Sequence, residues 1–235
     1  NVYPQTGNVI PDARRREYLA ALDIDVYTLR GGEAVTAGDV ADEPVSEVAP
    51  DWQSLESRVS KCTGCDLHQT RTQTVFGVGN READWMIVGE APGQEEDRRG
   101  EPFVGRAGKL LDEMLLAVGL DRSTVFIANI LKCRPPNNRD PSNDEAEACR
   151  AYLDRQIELV SPRIILAVGR IAAQRLLHSD APVGRMRGRA HYLDGGALPV
   201  VVTYHPAYLL RSPAQKRKSW EDLVLARQVL EGNGP

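Results

Sequence analysis

Four short apolar runs, each closed by glycine or a polar residue, constrain this chain more than any other feature. They are Trp85–Val88, Val125–Ile130, Ile164–Val168 and Val200–Thr203. Their aliphatic and β-branched composition is that of strands buried on both faces. Helical patterns separate them over Gly105–Val118, Ser142–Val160, Arg170–Leu177 and Pro213–Leu230. Ser142 with Glu145 three residues on predicts a capping box. Strands alternating with helices predict an α/β fold in three layers, α/β/α, around a four-stranded parallel sheet. Ala190–Leu193 and Leu198–Val201 flank Asp194-Gly195-Gly196, which predicts a hairpin whose second arm continues as the last sheet strand. Residues 12–22 carry a helical pattern behind Asp12, and residues 31–50 have a linker composition without periodicity. We therefore divide the chain into an N-terminal helix plus acidic linker over 1–50 and a main domain over 51–235.

Charge supports that division. The whole chain carries 29 bases and 33 acids, a net of −4 that argues against nucleic-acid binding. Residues 1–50 hold nine of the acids and only four of the bases, so the main domain is close to neutral and can present a basic face. No apolar run is long enough for a membrane helix, and no basic segment followed by an apolar run marks a signal peptide. We expect a cytoplasmic protein without membrane association.

Ligands of parallel sheets bind at the carboxyl ends of the strands. After the first strand comes GEAPGQEEDRRGEPFVGRAG, residues 89–108, with five glycines in twenty residues. Such a loop can approach a small planar or anionic ligand closely, although a plain surface loop has the same composition. It is no Walker loop, because Lys109 is followed by Leu110, and it lacks the G-x-G-x-x-G of dinucleotide sites. The second strand leads through Asn129 into KCRPPNNRDPS. Asn129 offers a donor and an acceptor side by side, suited to a base edge or to a simple turn. Lys132, Arg134 and Arg139 add positive charge that can hold phosphates or remain solvated. The fourth strand ends in TYHPAYLLR. His205 precedes a proline-restrained turn there, and Leu209 and Leu210 follow on what should be an exposed loop. They would serve as wedges in a base stack or as packing for the last helix.

Cys62, Cys65, Cys133 and Cys149 complete the inventory. Four cysteines with one C-x-x-C in a chain of this kind point to a metal site before disulfides. Cys133 and Cys149 are too widely spaced for a second zinc knuckle, and the H-x-E and P-C-x-x-C of zinc deaminases are absent. Irregular spacing is compatible with an iron–sulfur cluster, and spacing alone does not separate it from zinc.

Together these stretches resemble the family 4, iron–sulfur uracil-DNA glycosylases of the uracil-DNA glycosylase superfamily. The matches are Cys62-x-x-Cys65, GEAPGQEED at 89–97, EPFVGRAG at 101–108, NILKCRPPNNRDP at 129–141, EACR at 147–150 and YHPAYLLR at 204–211. They run in the family's order over roughly residues 55–230. A covalently capturing relative carries an Arg-rich insertion with a His after the second strand. This chain passes directly through Pro135–Pro141, so covalent capture is not expected. The resemblance implies a monofunctional glycosylase that flips uracil from single- or double-stranded DNA and hydrolyses its N-glycosidic bond. It also implies a [4Fe–4S] cluster on Cys62, Cys65, Cys133 and Cys149. In the catalytic set it places Glu90, Ala91, Glu96 and His205; in the base pocket, Gly89, Gly93, Phe103 and Asn129. On the DNA it places Lys132, Arg134, Leu209, Leu210 and Arg211. We expect a monomer. Two other classes compete: a non-catalytic uracil- or damaged-DNA-binding module of the same fold, against which intact Glu90, Asn129 and His205 argue, and a zinc-stabilised hydrolase of another small substrate.

Overall fold

The computed structural model describes residues 51–232. The helix expected over 12–22 and the linker over 31–50 lie outside the described residues. Asp51 accepts a hydrogen bond from the Ser54 amide at 2.8 Å and so caps helix α1, Trp52–Ser60. The chain then forms β1 (Val78–Gly79), β2 (Trp85–Gly89), α2 (Gln94–Arg99), α3 (Arg106–Leu116) and β3 (Val125–Asn129). It continues with α4 (Asn143–Val160), β4 (Ile164–Val168), α5 (Arg170–Leu176), α6 (Val183–Met186) and β5 (Ala190–Tyr192). The last elements are β6 (Pro199–Thr203), α7 (Pro206–Arg211) and α8 (Lys216–Leu230).

The four expected strands form the centre of the sheet in the order β3-β2-β4-β6, all parallel. The sheet is six-stranded rather than four-stranded, because an antiparallel strand closes each edge. One is β5, the expected hairpin arm on β6. The other is β1 on β3, only two residues long and too short to show a pattern in the sequence. Between β2 and β4 the strand order reverses, and a crevice opens there at the carboxyl edge.

Both sheet faces are dry. Met86, Val88, Phe126, Ala128, Ile165 and Ala167 pack with Cys149, Leu153 and Ile157 of α4 and with Ala173 of α5. Trp85, Ile87, Val125, Ile127, Leu166 and Val168 pack with Leu111 and Leu115 of α3, Leu209 of α7 and Leu223 of α8. Alternate residues of each strand thus feed opposite layers, which gives the expected α/β/α arrangement. The capping box is present: Ser142 accepts from the Glu145 amide, and the Glu145 carboxylate accepts from the Ser142 amide.

Two stretches differ from expectation. The glycine-rich segment after β2 contains the helix α2. The segment after β6 is no exposed loop but the helix α7, with Pro206 in its first turn and His205 as its cap. Helical spacing turns Leu209 into the core, where it is fully buried, while Leu210 stays exposed. Leu209 is therefore a packing residue and not a wedge. No helix among the described residues is long and apolar enough to cross a membrane.

Candidate active site

The carboxyl ends of all four parallel strands converge on one cleft of about 810 Å³. Glu90 follows β2, Asn129 ends β3, Gly169 follows β4, and His205 lies two residues beyond β6; all four line it. Ala91, Gly93, Glu96, Phe103 and Arg211 complete that wall among the residues expected from the sequence. A second hollow of about 460 Å³ between α4 and α5 adjoins it at Arg170, which lines both.

Asn129 is 2% exposed, and its Oδ1 has no partner among the described residues. A buried, unmatched acceptor costs about 1–3 kcal/mol, so a ligand donor is the natural complement. Beside it stands the Phe103 ring. The Cβ that a side chain at Gly89 would carry lies 2.4 Å from Asn129 Oδ1 and 2.5 Å from the Phe103 ring. Only glycine at 89 lets these two groups close over the strand end.

Phe103 is held in a left-handed backbone conformation, φ 54°. Such a conformation is unfavourable for a bulky residue and must be imposed by its surroundings. Arg122 donates to the carbonyl of Pro102 at 3.0 Å and to the carbonyl of Phe103. Glu96 Oε1 accepts from the amides of Val104 and Gly105 at 3.0 and 3.1 Å. Gly108 completes the fit: a Cβ there would sit 1.6 Å from the Phe103 carbonyl oxygen. Neither Arg122 nor Gly108 was legible as a site residue, since each acts through the folded turn alone.

His205 stacks on Phe103 at 5.7 Å between centroids and 29° between planes. Its Nδ1 accepts from the Ala207 amide at 3.1 Å. In the neutral ring that leaves the proton on Nε2. Burial, with help from Arg211, pushes its pKa down to about 4 despite the opposing field of Glu96. Glu90 shifts the other way, to about 7, through burial and the Asp140 carboxylate, partly offset by Arg170. Both groups are driven toward their neutral forms by the same loss of water.

The basic residues after β3 are mostly engaged. Lys132 is 1% exposed, and its ammonium donates to the Asn129 carbonyl at 2.8 Å and to Gln156 Oε1 at 2.6 Å. It faces the interior and cannot hold a phosphate, which corrects the expectation. Arg134 donates to Asn138, Arg139 pairs with Glu145, and Arg170 pairs with Asp140.

The four cysteines surround a separate small cavity with Arg71, Lys132 and Tyr152. Cys62 and Cys65 follow α1, Cys133 follows β3, and Cys149 lies on α4. Arg71 donates to Cys133 Sγ at 3.0 Å, the Lys132 amide to Cys149 Sγ and the Gly64 amide to Cys62 Sγ, each at 3.4 Å. Burial raises the Cys133 thiol, and raises Cys149 to about 11. Among the described residues no three His, Cys, Asp or Glu side chains are gathered as a site for a metal ion. The fit of a sulfur-bound group rests on the donor set: four thiols around one cavity, with N–H donors on three of the sulfurs.

Comparison with known proteins points to one family. A profile of the uracil DNA glycosylase superfamily matches residues 76–225. The type-4 uracil-DNA glycosylase of Archaeoglobus fulgidus is 47% identical over 169 residues, covering 69% of this chain and 84% of that protein. That of Thermotoga maritima is 42% identical over 183 residues, covering 77% and 95%. The type-5 uracil-DNA glycosylase of Thermus thermophilus is 31% identical over 152 residues, covering 56% and 68%.

The Phe103 turn can be tested without reference to function. Gly108→Ala forces a methyl group into the Phe103 carbonyl and should destabilise by about 1–3 kcal/mol or more. Thermal denaturation should then show a midpoint lower by roughly 2–4 °C per kcal/mol. An unchanged midpoint would mean that the turn is not tightly held.

Proposed function

The chain belongs to the uracil DNA glycosylase superfamily, on its type-4 branch, and from that premise we propose how its cleft excises uracil from DNA. The orphaned Oδ1 of buried Asn129 carries the reading. Uracil presents an N3–H donor beside the O4 acceptor, and the Asn129 amide complements both. Cytosine presents an acceptor at N3 and a donor at C4, so it would meet Oδ1 with a second acceptor. Phe103 stacks on the flipped base and replaces the stacking lost on leaving the helix.

Hydrolysis breaks the N1–C1′ bond. The bonding pair stays with uracil as an anion spread over N1 and O2, and positive charge develops on the sugar. A water adds to C1′ and loses its proton. Neutral His205 donates Nε2–H to uracil O2 as negative charge grows there. Its tautomer is already set by the Ala207 amide on Nδ1. Glu90 and the backbone of Gly89–Gly93 orient the water, and ionised Glu90 accepts its proton. Ala91 leaves no carboxylate at that position, so leaving-group stabilisation carries more of the catalysis. Glu96 shapes the pocket, because its Oε1 is engaged by Val104 and Gly105.

The four cysteines fit a [4Fe–4S] cluster. When bound, the cluster supplies a cross-link of thiolates and no step of the hydrolysis. Held by Cys62, Cys65, Cys133 and Cys149, it would tie the segment after α1 to the loop after β3 and to α4. Deprotonating buried thiols couples its binding to folding.

Incubation with a uracil-containing oligonucleotide followed by alkali should break the strand at uracil. An intact strand, with both single- and double-stranded substrate, would refute the enzyme and favour a binding module. His205→Ala should slow single-turnover excision by about 10²–10³. Asn129→Ala should cost on the order of 1–3 kcal/mol in transition-state binding, with a folded midpoint close to the parent.

The pH profile follows from Glu90. Its ionised form is the active one, so excision should rise as pH passes through about 7 and then level off. His205, already neutral above about 4, contributes no inflection near neutrality. Glu90→Gln should be slow and flat across that range. A parent-like rise in that variant would remove Glu90 from the role.

Colour tests the cluster. The purified protein should be brown, with visible absorption and bound iron and sulfide. Cys133→Ala should be colourless and melt at lower temperature. A colourless variant as stable and active as the parent would defeat the structural role.

A further inference from the structure

With Lys132 buried, Arg139 and Arg170 ion-paired and Arg134 hydrogen-bonded to Asn138, most cations for the DNA backbone have to come from elsewhere. Exposed basic side chains gather beside the cleft, on the side formed by α6, α7 and α8. Arg185 lies on α6, and Arg189 is the residue before β5. Arg211 ends α7 and lines the cleft, and Lys216 and Lys218 lie in the first turn of α8. All five are exposed. None of the five forms an ion pair or a side-chain hydrogen bond among the described residues.

The two arms of this patch are fastened together. Arg187, between Arg185 and Arg189, donates to Asp222 at 3.1 Å and to the Lys218 carbonyl at 2.7 Å. Asp222 is fully buried, so this pair fixes the segment after α6 against the start of α8. Val183 and Gly184, in α6 itself, line the cleft. One rigid rim thus carries Arg185, Arg189, Lys216 and Lys218, and Arg211 joins it to the pocket.

We propose that this rim is the phosphate track for the DNA strand that delivers the flipped uridine. The inference rests on the glycosylase reading, and it assigns the backbone contacts to residues outside the motifs that identify the family. Unpaired, exposed cations release counterions when they meet phosphates, at no cost in broken ion pairs. Arg139 would first have to leave Glu145, and Arg170 would have to leave Asp140.

The test measures binding rather than cutting. Fluorescence anisotropy with a uracil-free duplex gives affinity as a function of salt for the parent, the fourfold variant R185S/R189S/K216S/K218S, and a control, R163S/R227S. Arg163 precedes β4 at the opposite edge of the sheet and donates to the Leu230 carbonyl near Arg227. The fourfold variant should bind more weakly, with a log–log salt slope smaller by up to about 3.6, since each duplex phosphate contact contributes roughly 0.9. The control should keep the parent slope. A parent-like slope in the fourfold variant, or an equal loss in the control, overturns the track. Melting temperatures exclude unfolding. Because no uracil is present, this outcome does not depend on whether the parent cleaves the glycosidic bond.

Discussion

The left-handed turn at Phe103 is the constraint on which the site depends. A bulky residue with φ 54° sits in a conformation that local energetics disfavour by about 1–3 kcal/mol. It persists because Arg122 takes its carbonyl, Glu96 takes the next two amides, and Gly108 leaves room for the carbonyl to turn inward. Without that turn the ring would not stack on His205 or close over Gly89. Three residues thus place the ring that the proposed mechanism stacks on uracil. The surrounding helices serve the same end, since α2 presents Glu96 and α3 contains Gly108.

A second linkage joins the cysteines to Asn129. Lys132 spans the two: its backbone amide donates to Cys149 Sγ, and its ammonium donates to the Asn129 carbonyl. Gln156 accepts from the same ammonium and donates to the Phe76 carbonyl, extending the network to the sheet edge. A buried ammonium holds such a position only where acceptors surround it. The loop after β3 is therefore anchored at both ends of one side chain, and disorder at the sulfur site would reach Asn129 within a single residue.

The parts legible in the sequence were those governed by short-range pattern. Four buried strands, the Ser142–Glu145 box and the β5–β6 hairpin each declare themselves within a few residues. The cleft residues were legible because strand ends in a parallel sheet face one edge, so Glu90, Asn129 and His205 had to meet. What stayed hidden depends on long-range partners. Lys132 reads as one more cation in a basic loop until Gln156 and the Asn129 carbonyl claim it. Leu209 and Leu210 are equivalent in sequence, and only the helical phase of α7 buries one and exposes the other. The two-residue β1 has no pattern to read at all.

Burial explains why His205 is kept neutral and why Glu90 ionises only near neutrality. Burial of the two side chains raises Glu90 to about 7 and lowers His205 to about 4. A cationic His205 would be the stronger donor to uracil O2, but it would also pair with any nearby carboxylate before substrate arrived. In the proposed reaction the neutral ring, with its proton confined to Nε2, would present a fixed dipole to a charge that exists only as the bond breaks. Interactions that strengthen only in the transition state raise the rate without tightening ground-state binding. The same low dielectric amplifies that dipole. The proposed phosphate track then puts most of the cations for DNA on the solvated rim formed by α6, α7 and α8, with Arg211 at the cleft wall.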